Sequence, residues 1–348
     1  MEKTFALSCP LPTTERKNIV MGHGSGGKLT AQLVQELFLP AFDNEYLKKL
    51  DDQAVFRAGS ARLAFTTDSF VVTPLFFPGG NIGELAVNGT VNDLAMSGAQ
   101  PLFLSCAFIL EEGFPVEDLS RIIDSMAQAA RAAGVAIVTG DTKVVNKGSA
   151  DKLFITTSGV GLVPEGVEIS ASRASPGDVI LLSGSMGDHG MAIMSVREGL
   201  EFEGEIRSDT APLHTLVRAM LDAGEVHVLR DPTRGGLATS LCEIATASST
   251  GIEIHASAVP VREDVKGACE ILGLDPLFVA NEGKLVAFVP EVSSEAVLAA
   301  MRRHPAGQGA VAIGHCVADH KGMVLLKTEI GGTRILDLPF SEQLPRIC

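Results

Sequence analysis

The apolar residues of this chain come in two alternating rhythms, and both rhythms occur in both halves. Runs of strand length or pattern occupy Arg62–Thr67, Phe103–Leu110, Val135–Val138 and Leu153–Val163. They recur at Val179–Leu182, Val226–Leu229, Ile252–His255, Leu285–Val289, Val311–Cys316 and Met323–Leu326. Stripes at helical spacing lie among them. One comprises Leu29, Leu33, Val34, Leu37 and Phe38, which Pro40 is expected to end. Others are Ala86, Val87, Thr90, Val91 and Leu94 within 83–97, and Leu119, Ile122, Ile123, Met126 and Ala130. Further helices are expected at 191–197, around Leu237, Leu241, Ile244 and Ala245, and near 261–272 and 294–303. The order is not a clean strand–helix alternation. It predicts an α+β (mixed α/β) fold in which each of two domains packs a mixed sheet with helices around its own core.

With 348 residues, two domains are expected. Pro164-Glu165-Gly166 is the natural boundary, giving 1–165 and 166–335. Residues 336–348 contain two prolines and read as a flexible tail. No apolar run reaches the roughly 20 residues of a membrane span, and the N-terminus lacks the apolar core of a signal peptide. A soluble cytoplasmic protein is expected. A net charge of −14, no Trp and one Tyr argue against a nucleic-acid partner, which requires Lys, Arg and stacking surface.

Gly22-His23-Gly24-Ser25-Gly26-Gly27-Lys28 precedes a helix. Glycine lets a backbone approach an anion closely, and the helix start offers free N–H groups. The loop lacks the spacing of a P-loop, so phosphate binding and a plain helix start remain open readings. Acidic residues fall at element ends: Asp51-Asp52, Asp68, Asn92-Asp93 and Gly140-Asp141-Thr142. Singly each is a cap or turn residue; together they suit a hard cation such as Mg2+. Asp93 lies within an apolar helix, where a carboxylate is costly unless paired. Asp231-Pro232-Thr233-Arg234-Gly235-Gly236 and Asn281-Glu282-Gly283-Lys284 are turn motifs in which Arg234 suits a phosphate. Gly184-Ser185-Met186-Gly187-Asp188-His189-Gly190 is a weaker glycine-rich segment.

Six cysteines, Cys9, Cys106, Cys242, Cys269, Cys316 and Cys348, are scattered without a metal or disulfide spacing. Five read as background. Cys348 is the last residue, on a tail whose dozen residues can span roughly 40 Å. Arg346 would favour its thiolate and the terminal carboxylate would oppose it.

In their order, GHGSGGK, TTDSF, VNDLAMSGA, TGDTKVV, DPTRGG and NEGK resemble the superfamily of aminoimidazole ribonucleotide synthetase and selenophosphate synthetase over nearly the whole chain. The ending Leu344-Pro345-Arg346-Ile347-Cys348 resembles the carbamoyl dehydratase family of hydrogenase maturation. The resemblance implies a two-domain fold that dimerises through its N-terminal halves. It implies ATP-dependent dehydration of a carbamoyl group on Cys348 to an S-cyanide. A HypF-like carbamoyltransferase would load the thiol, and a HypC–HypD-like scaffold would receive the cyanide for a [NiFe]-hydrogenase iron. ATP would lie against Gly24, Ser25, Gly26, Gly27, Lys28, Asp68, Asn92, Asp93, Gly140, Asp141, Thr142 and Arg234. Mg2+ would fall to Asp68 and Asp93, with Asp51, Asp52 and Asp141 as further ligands. Lys143 and Glu282 are expected as bases beside Cys348, with His23 a weaker choice. A relative acting on a free small molecule, such as a selenide or thiamine phosphate, is the rival among enzymes. A selenophosphate synthetase would want a Cys near the glycine-rich loop, and Cys9 lies outside it. A non-catalytic metallocentre scaffold is the rival outside enzymes.

Overall fold

The computed structural model describes residues 18–24, 26–200, 205–340, 344 and 346–348. Helix α1 (Lys28–Leu33), a π turn (Val34–Phe38) and a last turn α2 (Leu39–Ala41) lead in. Pro40 therefore sits inside the final turn rather than ending the helix. The π turn bonds Leu39 N–H to the Val34 carbonyl, and the chain leaves the helix at Phe42.

The first half then supplies strands β1 (Ala54–Ala58) and β2 (Ala61–Phe70), the short pair β3 (Phe76–Phe77) and β4 (Gly80–Asn81), and β5 (Gln100–Glu111), β6 (Ala136–Val145) and β7 (Leu153–Leu162). Helices α3 (Ile82–Ala95) and α4 (Val116–Ala132) lie between them. Five strands form a sheet in the order β1-β2-β7-β5-β6, with only β5–β6 parallel. Alternate residues of β7 are buried, as period-two patterning over a helical layer requires.

The second half contains β8 (Val179–Leu182), α5 (Asp188–Arg197), α6 (His214–Ala223), β9 (Val228–Arg230), α7 (Gly236–Ser248) and β10 (Gly251–His255). After these come α8 (Glu263–Leu272), β11 (Val286–Val289), α9 (Glu291–Arg303), β12 (Val311–Val317), β13 (Val324–Lys327) and β14 (Thr333–Leu336). Its seven-stranded sheet runs β14-β13-β10-β12-β8-β11-β9, again with one parallel pair, β10–β13. Both sheets are mixed, as expected.

The cores are less separate than the sequence implies. One apolar cluster joins Phe70, Ile82 and Ile122 of the first half to Met191, Val265 and Val279 of the second, and takes in Leu344 and Ile347 of the tail. A second cluster belongs to the C-terminal half alone. Helix α3 explains the joint. It is buried on nearly every side, which an all-round apolar helix requires. Asn92, inside it, donates to the carbonyls of Ala211 and Glu282 at 3.1 Å each and accepts from Leu213 N–H at 2.8 Å. Its amide bolts the two halves together.

Asn92→Ala would leave those three buried backbone groups unpaired. The expected loss is about 3 kcal/mol of stability, read as a lowered urea midpoint.

Candidate active site

The glycine-rich loop, the DPTRGG turn and the base of the tail meet. A Cβ at Gly26 would lie 3.1 Å from the Arg234 carbonyl oxygen, and one at Gly27 only 2.4 Å from that of Pro339. Gly26 also has φ +78°, in the left-handed region. These glycines are demanded by the close approach. Lys28 N–H donates to the Pro339 carbonyl at 2.9 Å, and its ammonium pairs with Asp337 at 2.6 Å. Gly24 ends an exposed 3-10 turn, and Ser25 lies outside the described residues. His23 is spent on its own turn, at Val20.

Near that junction lies a group of acids, Asp231 and Glu282 buried and Asp52, Asp68 and Asp93 half-buried. Asp52 accepts from Arg230, whose guanidinium is buried. Asp93 Oδ2 accepts from Thr66 Oγ1 at 2.8 Å. Burial raises the proton affinity of Asp52, Asp68, Asp93, Asp231 and Glu282, and neighbouring carboxylates add to it in all but Asp68. For Asp231 the result is a pKa of about 8. Arg234 pulls Asp68 and Glu282 the other way. The terminal residue Cys348 is the largest influence raising the affinity of Arg234 for its proton, ahead of Asp68, Glu282 and Asp93. Arg234 thus feels both the tail end and the acids.

Glu282 is 3% exposed, and its Oε1 has no hydrogen-bond partner among the described residues. The turn carrying it is fixed by Asp209, which accepts from Glu282 N–H at 3.0 Å, Gly283 N–H at 3.3 Å and the Lys284 ammonium at 3.0 Å. Among the described residues no three His, Cys, Asp or Glu side chains are grouped to hold a metal by themselves.

The tail enters this site. Its last carbonyls are all bound: Arg346 O by Thr73 N–H and the Arg197 guanidinium, Ile347 O by His189 Nε2, and Cys348 O by Val71 N–H. The pairs 71–348 and 73–346 run antiparallel, like an added strand. Leu344 and Ile347 are buried, and a Cβ at Gly190 would come within 3.3 Å of both. The GSMGDHG segment is therefore a cradle for the tail. Arg346 is engaged by Asp151 rather than turned to the terminal thiol. Cys106, Cys242, Cys269 and Cys316 are core residues whose thiols burial pushes up to about 11 or 12. Cys348 is only half-buried. Cys9 lies outside the described residues.

Within one chain, several expected site residues stand apart from the cluster. Gly140, Asp141, Thr142 and Lys143 do not join the cluster within one chain. They continue β6, an exposed edge strand, where Asp141 pairs with Lys143 at 2.7 Å and accepts from Thr142 N–H. The register Asp68–Thr157–Cys106–Gly140 puts three strand spacings, about 14 Å, between them and Asp68. Gly140 is needed because a Cβ would meet the Cys106 carbonyl at 2.1 Å. Asp51 is occupied by Ser170 Oγ at 2.9 Å and Ala171 N–H at 3.0 Å, tying the lead-in to the second half. Asn92 spends its amide on the second half. Asp231, Arg230, Asp209 and His189 are site residues that sequence reasoning missed as such. Asp231 was within a quoted motif, but only folding sets it beside Asp52 and Asp68.

A carboxylate whose native pKa is raised binds its proton more tightly folded than unfolded. The stability from Asp231 is complete below the ordinary carboxylate range, near pH 4, and is lost as pH rises through about 8. Metal-free protein is expected to show a falling denaturant midpoint from pH 6 to 8.5, and Asp231→Asn should flatten that slope.

Residues 50–163 match the AIR synthase related protein, N-terminal domain, and residues 175–327 match its C-terminal domain. The chain is 58% identical over 332 residues to the carbamoyl dehydratase HypE of Cupriavidus necator, covering 95% of each protein. It resembles the crystal structure of a HypE–HypF complex with a TM-score of 0.84 at 52% identity, covering 88% of this chain and 99% of that one. It resembles HypE in complex with ATP with a TM-score of 0.81 at 50% identity, covering 95% and 100%. With both domain families in sequence and this likeness along almost its whole length, the chain belongs to the carbamoyl dehydratase HypE family of AIR synthase related proteins.

Proposed function

We propose that this chain dehydrates a carbamoyl group carried on its own Cys348 to an S-cyanide, using ATP, in the maturation of a [NiFe]-hydrogenase. The observation that carries the reading is the docked tail: the oxygens of Arg346, Ile347 and Cys348 are bound at Thr73, His189 and Val71, and the charge of Cys348 acts on Arg234, as that of Glu282 does. A tail seated there also counts against a free small molecule as the substrate.

The carbamoyl oxygen is a poor leaving group until it is phosphorylated. Its attack on the γ-phosphorus of ATP forms the O–P bond and releases ADP, while one N–H proton is lost to give an imidate. Loss of the second N–H proton then breaks the C–O bond and expels phosphate, leaving S–C≡N. Protein help in the first step is positioning and charge neutralisation. The loop of Gly24–Lys28 and Arg234 suits the phosphates. Glu282 is the base. Burial makes its carboxylate a stronger proton acceptor, and Arg234 opposes that shift.

Mg2+ fits Asp52, Asp68 and Asp93, whose oxygens are hard ligands and whose crowding a cation would relieve. Mg2+ commonly takes one or two carboxylates and completes its shell with phosphate and water, so a three-residue cage is not required. Bound there, it would neutralise phosphate charge.

The exposed edge β6, carrying Ile137, Val138 and Val144, supports a homodimer, in which Asp141 and Lys143 would face the second copy. A HypF-like carbamoyltransferase would load Cys348, and a HypC–HypD-like scaffold would accept the cyanide. The need for ATP supports a cytoplasmic setting. We assign 1–165 to the ATP-binding domain, 166–335 to the second domain and 336–348 to the carrier tail.

The test is the mass of the C-terminal peptide. It should gain a carbamoyl group with the transferase and become the cyano form with ATP and Mg2+. Cys348→Ala should not be loaded; loading of that variant would reject the tail as carrier. Glu282→Gln should load normally and convert at least 100-fold more slowly, the scale of general base catalysis.

A further inference from the structure

His189 occupies the second position of α5 and has no exposed surface. Its Nε2 lies 2.8 Å from the Ile347 carbonyl oxygen, and its Nδ1 lies 2.8 Å from Ser208 Oγ. A carbonyl only accepts, so Nε2 carries the hydrogen. In the neutral ring Nδ1 then accepts from the Ser208 hydroxyl. Burial holds this imidazole below its ordinary pKa, which favours that neutral form. Ser208 Oγ in turn accepts from Thr210 N–H at 3.2 Å. Phe77 meets the ring edge-on at 5.6 Å and limits its rotation.

The bonded carbonyl belongs to the peptide plane that leads directly into Cys348. On the far side of Cys348, its own carbonyl oxygen accepts from Val71 N–H at 3.0 Å. The terminal residue is therefore pinned before and after its Cα. His189 binds with its side chain and Val71 with its backbone.

We infer that His189, oriented by Ser208, is a positioning residue that holds the last peptide plane of the tail so that the group on Cys348 is aimed for dehydration. This rests on the proposed reaction for its kinetic consequence, and on the docked tail alone for its structural one. Loading is done by a partner on an undocked tail and does not use the contact, so loading and dehydration should separate.

The experiment compares full-length protein with His189→Phe, His189→Gln and Ser208→Ala. His189→Phe keeps a ring against Phe77 but has no donor. It should speed alkylation of Cys348 by iodoacetamide about five- to tenfold, followed by mass on the C-terminal peptide. It should slow single-turnover conversion of pre-loaded carbamoyl tail to cyano tail by a similar factor, without slowing loading. His189→Gln restores a donor and should recover most of both rates. Ser208→Ala should move both rates the same way but less, and it decides the matter if the Phe variant does not fold. Unchanged alkylation in the Phe and Ala variants, or a Gln variant as impaired as Phe, would overturn the inference. If wild-type protein makes no cyano tail at all, the reaction is wrong, while the alkylation rates still decide the role of His189.

Discussion

Carboxylates crowded away from water repel one another and lose hydration, and this structure gathers Asp52, Asp68, Asp93, Asp231 and Glu282 in one such place. Two arginines, Arg230 buried and Arg234 exposed, make the crowding tolerable. Arg230 is bound to Asp52 and lies 3.9 Å from Glu243, so it is held inside the protein. Arg234 is shared between the acids and the tail. The five carboxylates outnumber the two guanidiniums. The rest of the architecture keeps the acids from moving apart. Asn92 fixes one half against the other, and Asp51 ties the lead-in to Ser170 and Ala171.

The tail sits on a closer balance. Burying Leu344 and Ile347 contributes about 3–6 kcal/mol. The four hydrogen bonds to the last three carbonyls add about 4 kcal/mol. Ordering roughly five residues costs about 5–10 kcal/mol. The terms nearly cancel, so docking is reversible. That is what a carrier needs, since a tail fixed permanently inside could not meet a donor or an acceptor. It also links the tail to nucleotide: the same glycine-rich loop that suits phosphate holds the tail base, through Lys28 and Pro339.

The sequence made the elements legible where apolar rhythm was strong. The strand at Val179–Leu182 and helix α3 follow directly from spacing, and so do α4 and α8. It failed where a residue's role depends on what lies across a gap. TGDTK reads as a strand end with ligands, but it continues an edge strand, because Gly140 lets β6 approach β5 closely. Asn92 reads as a polar intruder in an apolar helix, which is correct, but its partners are more than a hundred residues away. Helix α6 went unread although it is as long as α8 and buries Leu216, Val217 and Met220 at helical spacing. In the site, Glu282 and Cys348 stood out by motif and by position. His189 and Asp209 could not, since a lone His in a glycine-rich turn and a lone Asp before a proline carry no local signal of a distant partner.

Glycine placement joins these scales. Gly26 and Gly27 admit Arg234 and Pro339, Gly140 admits β5, and Gly190 admits the tail. At each, an added methyl would push on a partner that belongs to the site or to the sheet beneath it. A glycine-rich loop is therefore ambiguous in sequence for a physical reason. Absence of a side chain serves an incoming phosphate and an incoming backbone equally well. Here the loop meets backbone on one side, so its anion-binding capacity depends on the same close packing that seats the tail.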